Sequence, residues 1–250
     1  MPLMVTTPTF THAKLSALVF KDAELSPYFN SLDADRTIET ADTSGFGSSD
    51  KTYIVGQAEG KLSASGLFDG SLKAVDEYLS AALAGGTDEL ITFFLNGGIK
   101  PGARCRMATA LTASYAANSA TGDVVGCKAE FTTDGGHFGG RSLTDKVAIS
   151  ATTTYPTVDH TVDFATATSG AFAHVHVIQN TRNVTSTIKL QHSSDNSVWV
   201  DLAPTVTVNA TTTQATRLDI TGTVNRYVRA VNTLTAGTGT ITAIVALSRK

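Results

Sequence analysis

The sequence predicts a mainly β fold: a β-sandwich or barrel with one flanking α-helix and a long inter-strand loop, plus a C-terminal β-sandwich. Three observations carry this. Runs rich in Thr, Val and Ile alternate apolar and polar residues with a period of two, the pattern of half-buried strands. Clusters of Gly, Pro, Asn and Asp interrupt those runs at short intervals, as in sandwiches and jelly rolls. A single segment, 72–83, has clear helical spacing.

In chain order, 1–12 is an unpatterned arm with Pro2 and Pro8, and 14–21 (KLSALVFK) is a short strand with an apolar centre. Leu25 to Phe29 reads as a turn, and 31–38 as a further strand. Residues 36–60 form a long polar loop carrying only isolated apolar residues: Ile38, Phe46 and Tyr53-Ile54-Val55. A loop of that length inside a domain is uncommon and is usually functional or disordered. In 61–68, Leu62, Ala64, Gly66 and Phe68 share one face of a strand. Asp69 or Ser71 then offers a helix cap. Leu72, Val75, Leu79, Ala82 and Leu83 form a core-facing helical stripe, and Gly85-Gly86 ends the helix.

Three strands follow, at 89–95, 104–115 and 123–131. In the second, Cys105, Met107, Leu111 and Tyr115 are expected to face the core, opposite Arg104, Arg106, Thr112 and Ser114. In the third, Val125, Cys127, Ala129 and Phe131 oppose Lys128 and Glu130. Residues 132–142 (TTDGGHFGGRS) read as a Gly-rich loop available for assembly contacts. It lacks the Lys-Ser/Thr and the helix that a phosphate-binding loop needs. After a strand at 146–151, TTTYPT (152–157) reads as a linker. The boundary therefore divides 1–151 from a second sandwich over 158–250, with strands at 160–164, 171–178, 186–192, 198–202, 205–208, 216–220, 226–232 and 239–247. That sandwich is expected to fold separately.

Composition limits the function classes. The 250 residues are enough for one large or two smaller cores. A net charge of −3 with only 16% charged residues argues against wrapping nucleic acid, which needs clustered Lys and Arg. It suits a protein whose surface is covered in an assembly, and it equally suits a secreted β protein. No apolar run approaches the roughly 20 residues that span a bilayer, so no membrane partner is expected. The start, MPLMVTTPTF, lacks the basic and apolar regions of a signal peptide. Cys105 and Cys127 are too few for a disulfide scaffold and read as buried thiols, with a cross-strand disulfide as the alternative.

The candidate chemistry is sparse. His174 and His176, two apart on one strand face, have the spacing of a shared metal site, but no local third ligand completes a set. A solvated or interface face is the ordinary reading of the pair. Asp159-His160 has no nucleophile turn such as G-x-S-x-G beside it, and the carboxylates are scattered. Trp199 alternates with Val198 and Val200, which favours hairpin packing over a sugar-stacking platform. No catalytic residue, metal or cofactor is expected.

The run ETADTSGFGSSDKTYIVG, followed by a strand ending SGLFDG and a short helix, resembles the tail tube proteins of long-tailed bacteriophages. The likeness covers the first third of the chain and lies in turn and strand residues. It implies a homo-oligomer: stacked rings, expected to be hexameric, that form the conduit for DNA ejection. Thr43, Phe46, Lys51 and Tyr53 would then make inter-ring contacts from the long loop. DNA would pass through the lumen without specific binding, other tail proteins would be partners, and the protein would reside in the virion tail after assembly in the host cytoplasm. KLQHSSDNSVWVDL and RYVRAV resemble sandwich modules appended to phage structural and carbohydrate-binding proteins. The alternative function is therefore a glycan-binding adhesin or capsid decoration module, with Trp199 and Tyr227 as glycan contacts.

Overall fold

The structure is a computed structural model that describes residues 15–46, 49–95, 97–150, 162–163 and 165–250. The expected N-terminal arm and the linker at 152–157 lie outside the described residues. The first part comprises β1 (Ala17–Phe20), β2 (Ala23–Glu24), β3 (Phe29–Asp42), β4 (Tyr53–Leu67), α1 (Val75–Gly85), β5 (Glu89–Phe94), β6 (Arg104–Asn118), β7 (Gly126–Ser142) and β8 (Ile149–Ser150). The second comprises β9 (Val162–Asp163), β10 (Ala171–Asn180), β11 (Ser186–Ser193), β12 (Val200–Asp201), β13 (Val206–Val208), β14 (Gln214–Ile220), β15 (Tyr227–Leu234) and β16 (Thr240–Arg249). The fold is mainly β with one α-helix, as the alternation predicts.

Two antiparallel sheets result. The larger runs β14-β10-β16-β7-β6-β5-β1-β2, with β4 added on β7, β3 on β4 and β8 on β16. The smaller runs β12-β11-β15-β9, with β13 also on β11. The larger sheet curls until its two ends meet. His176 Nδ1, on β10, donates to the Lys21 carbonyl at 2.6 Å. Thr213 Oγ1 donates to Asp22 Oδ2 at 2.5 Å, and Arg217 Nη1 to Thr109 Oγ1 at 2.9 Å. The curl makes an incomplete barrel, and its interior holds Val19, Phe94, Met107, Phe172, Ile244 and Ala246.

Two further cores lie outside that interior. One packs Val75, Leu79 and Ala82 of α1 against Leu18, Phe20, Ile91, Phe93, Ala129 and Phe131. The other packs β10 and β16 (Val175, Val177, Ala243, Val245) against the smaller sheet (Ile188, Leu190, Val228, Ala230). The first of these cores is drawn from residues before 151 alone, while the second also takes in Leu143 and Ile149 from that part. One sheet crosses between the two parts, through Ala246↔Ser142 and Leu247↔Arg141, and so does the barrel interior.

Several local expectations change. The long loop at 36–60 is mostly a β-hairpin: β3 and β4 pair from Phe29↔Gly66 to Asp42↔Tyr53, and the loop proper shrinks to 43–52. Its outer half shows no alternation of burial because both faces are exposed. The helix begins at Val75, not Leu72, so Leu72 is 84% exposed; Leu83 is 40% exposed at the edge of the stripe. Ala74 holds the N-cap position without a side-chain bond. Asp69 instead accepts the Ser71 amide at 2.9 Å, and Glu77 accepts the amide of Lys73. Gly86 closes the helix in the left-handed region at φ 57°, donating to Ala82 O at 3.2 Å.

In β6 the side chains alternate without a break from Arg104 to Thr112, but the buried face changes: Cys105 and Met107 point into the barrel interior, whereas Ala108 and Ala110, on the opposite side, lie in the core beneath α1, and Leu111 faces outward. The extra residue of β6 at Thr112/Ser114 then brings Tyr115 to the α1 side. Sequence alternation alone reveals neither the change of covered face nor the bulge. The Gly-rich segment 132–142 is likewise a continuation of β7. Its extra residues, Gly135 and Gly136 at φ 71° and 84°, form an excursion between Asp134↔Thr109 and Phe138↔Met107.

Candidate functional site

The segment that stands out is the β3–β4 hairpin. Its base is tied down. Lys61–Leu67 of β4 pairs with Gly126–Thr132 of β7, and Leu32, Ala34, Leu62 and Ala64 join the core beneath α1. Lys61 and Lys128 both reach Glu130, at 3.0 and 2.9 Å, and hold its carboxyl down at about 2. His137 Nε2 donates to the Asp35 carbonyl at 2.9 Å, and the Arg36 guanidinium lies 5.6 Å from the centre of the Phe138 ring.

Beyond Arg36 and Gly60 the ribbon loses its third strand. The residues 37–42 and 53–59 are exposed on both faces. At a strand rise of about 3.3 Å per residue, the free ribbon extends roughly 20 Å. A two-stranded hairpin of this kind is marginal in water on its own.

Its register carries the core pattern outward. In Leu32↔Ala64 and Ala34↔Leu62 half-buried residues of β3 pair with buried ones of β4, and the same face continues through Ile38↔Ala58 to Val55 and Tyr53. Ile38 is 53% exposed, Tyr53 55% and Val55 74%; Ile54, on the opposite face, is also exposed. Among the described residues nothing covers these apolar side chains; Ile38, Val55 and Tyr53 share their face with Thr40 and Asp42.

The tip is organised by polar bonds. Thr43 N donates to Thr52 O at 2.8 Å, Asp42 Oδ1 accepts the Ser44 amide at 2.9 Å, and Ser44 Oγ accepts the Thr52 amide at 3.0 Å. The bond from Ser44 lowers the Asp42 pKa. Lys51 Nζ lies 3.8 Å from Asp42, and Phe46 is fully exposed. The structure therefore gathers Thr43, Phe46, Lys51 and Tyr53 at one end of the molecule. Ile38, Ile54 and Val55 are exposed on the same ribbon and were not among the residues expected to make contacts. Their signal was a β-branched run in a polar segment.

The other predicted positions separate. Val75 and Leu79 are core residues, whereas Leu72 and Leu83 are at the surface. Trp199 and Tyr227 both lie at the outer face of the smaller sheet, half-buried. Trp199 sits under the Arg229 guanidinium, 4.0 Å from the ring centre, and Arg229 also bonds Gln191 Oε1 at 2.8 and 3.0 Å. Arg226 lies 5.3 Å from the Tyr227 ring centre. Gln191 and Lys189 reach Asp201 at 2.8 and 3.0 Å, completing a polar array around the indole.

His174 and His176 are fully buried in the barrel, not solvated. His176 Nδ1 donates to Lys21 O, so its Nε2 accepts the Thr92 hydroxyl at 2.9 Å. The Thr92 oxygen then accepts from His174 Nδ1 at 3.2 Å. Burial lowers both pKa values, that of His176 to about 4. The pair thus stays neutral and closes the barrel seam. Cys105 and Cys127 are free and buried in different clusters, and burial pushes the Cys105 thiol up to about 12. Among the described residues no three His, Cys, Asp or Glu side chains converge as metal ligands, and no helix is long and apolar enough to cross a membrane.

No protein-family model matches the chain, and no curated protein matches it. The solved structures to which the fold is similar come from phage tails and related particles. A chain from the virion of a native gene transfer agent particle is 11% identical, with a TM-score of 0.42, covering 51% of this chain and 97% of its own length. A chain from the six-fold symmetrised baseplate of the anti-feeding prophage is 13% identical, with a TM-score of 0.41, covering 52% of this chain and 95% of its own. The Dit protein of phage SPP1, described as a paradigm of the hub adsorption apparatus of phages infecting Gram-positive hosts, is 14% identical. Its TM-score is 0.36, over 94% of this chain and 99% of its own.

Proposed function

We propose that this chain is a non-catalytic structural subunit of a phage tail tube. Copies assemble into rings of six that stack into the conduit for DNA ejection, without a cofactor. The observation that carries the reading is the β3–β4 ribbon, whose core-facing register runs on as an exposed stripe of Ile38, Val55 and Tyr53. Apolar surface on a marginal ribbon is stable when a neighbour covers it. The residues that resemble tail tube proteins, ETADTSGFGSSDKTYIVG, build this ribbon and its tip.

Ring closure also answers the problem of open sheet edges. Among the described residues β2 and β14 end the larger sheet, and β3 ends its hairpin branch. Unpaired edges invite further pairing, and a closed ring turns that liability into an interface. A lumen wall of mildly acidic character lets polyanionic DNA pass without adhering. Other tail proteins would meet the ends of the tube.

Electron microscopy of the purified chain at increasing concentration tests this. Rings or tubes are expected; compact particles at every concentration would contradict it. A second reading, a glycan-binding or decoration module, is favoured by Trp199, whose polar surround of Arg229, Gln191 and Asp201 is that of a sugar-stacking platform. Glycan binding that is lost in Trp199→Ala, in a chain that forms no rings, would select it.

A further inference from the structure

A cleft of about 460 Å³ opens where β6 begins and β7 ends, on the sheet face that carries α1 in one half and the smaller sheet in the other. Arg104, Arg106, Arg141 and Arg249 line it with Leu95 and Leu247, and among the described residues no carboxylate does. Arg104 is directly opposite Arg141 across the strands, and Arg106 follows two positions on from Arg104. Like charges facing each other across a sheet are destabilising, and since Arg141 has partners of its own, the charges that an anion would offset are those of Arg104 and Arg106.

The four arginines are not equally committed. Arg249 donates to the carbonyls of Val224 and Asn225 at 3.2 and 2.6 Å, and Arg141 to that of Gly102 at 3.3 Å. Arg104 and Arg106 are exposed, and neither has a salt bridge among the described residues. Two guanidinium forks in a concave site of one sign suit carboxylates.

The complementary charge is on the chain itself. It has 19 basic and 22 acidic side chains. With four of the basic ones gathered in the cleft, the remainder carries an acidic excess. On the projecting ribbon, Glu59 pairs with Thr37, and Glu39 follows two positions beyond Thr37, so both lie on the face away from Ile38 and Ala58. Both are exposed and without a salt bridge among the described residues. A nucleic-acid backbone is the poorer fit, because it needs basic groups continued along a groove.

We infer that the cleft of one copy, through Arg104 and Arg106, receives the Glu39 and Glu59 face of the hairpin of a second copy. This rests on the reading of the chain as a self-assembling subunit and names the receptor of its arm.

A charge swap in the full chain, followed by analytical ultracentrifugation, tests it. Arg104→Glu with Arg106→Glu is expected to raise the concentration needed for assembly by about tenfold or more, as for a reversed interfacial charge pair. Glu39→Arg with Glu59→Arg should do the same, and because the ribbon lies outside the core its melting temperature should equal the parent's. Combining all four changes should bring assembly back towards the parent's, and rising salt should weaken assembly of the parent. If the cleft variant fails to fold, Arg104→Gln with Arg106→Gln and the ribbon variant carry the test alone.

Parent-like assembly of both reversed variants, or no recovery in the combination, overturns the cleft as receptor and leaves self-assembly standing. A parent that never assembles overturns both. Binding of a short DNA duplex that is lost in Arg104→Glu/Arg106→Glu, with assembly unchanged, assigns the cleft to nucleic acid instead and also overturns the inference.

Discussion

The buried histidines set the acid limit of the fold. A histidine kept neutral by burial binds its proton less readily in the native chain than in the unfolded one. The His176 pKa falls to about 4, against an ordinary value near 6.5. Between those values the unfolded chain carries more protons, so stability falls as pH drops through the window, by about 1.4 kcal/mol per unit for each such group. His174 shifts in the same direction. Denaturant melts at pH 6.5 and pH 5 should therefore show a loss for the parent. In His176→Asn, which keeps a donor for the Lys21 carbonyl but cannot titrate, that loss should be smaller by about 2 kcal/mol. Equal losses in both proteins would mean that the pair is not buried and neutral. Leu79 sits at the centre of the helix stripe and is fully buried. Leu79→Ala should cost about 2–5 kcal/mol, read as a lower melting temperature. Leu72→Ala should leave it unchanged, since Leu72 is exposed.

Among the elements, the hairpin is the one whose proposed role in assembly can be tested apart from folding. Its base shares the core, whereas its tip is joined to the rest by the ribbon alone. Replacing 43–52 by a two-residue turn should leave circular dichroism and melting unchanged while stopping tube growth. Normal tubes from that variant would exclude the tip from assembly. The element also shows how far the sequence was legible. The strands of the second part fall close to the expected places: those of the smaller sheet alternate between a buried and a more exposed face, whereas β10 and β16 are buried on both faces and show as apolar runs between turn residues. The outer ribbon has two wet faces, so it has no period to read, although Thr37, Ile38, Thr40, Ile54 and Val55 favour extended structure. The Gly-rich part of β7 hid for a related reason: positive-φ glycines mark an excursion within a strand as readily as a loop. The helix start was misplaced because Asp69 and Ser71 bond each other in a local turn instead of capping α1. For the candidate site, Phe46, Lys51 and Tyr53 were legible through their resemblance to a known loop. Arg104 and Arg106 were not, since only the strand register brings them opposite Arg141.

At the scale of the molecule, the seam decides whether the two parts fold apart. Phe172, Ile244 and Ala246 from the second part cover Val19, Phe94 and Met107 of the first, and Thr92 bonds both histidines of β10. A chain ending at residue 151 would bare that interior and leave β7 without β16. Its expected behaviour is loss of a cooperative melt; a soluble product with a sharp transition would show instead that the first part is a self-sufficient domain. The same seam fixes the curl of the larger sheet, and with it the direction in which the hairpin leaves the body. On the proposed function a neighbouring copy covers this hairpin. Amide hydrogen exchange compared between dilute subunit and sedimented assembly tests it most directly. The amides of 37–42 and 53–59 should exchange rapidly in the subunit and become protected on assembly, while those of β10 and β16 are protected in both. Ribbon amides that exchange equally fast in the two states would contradict the account.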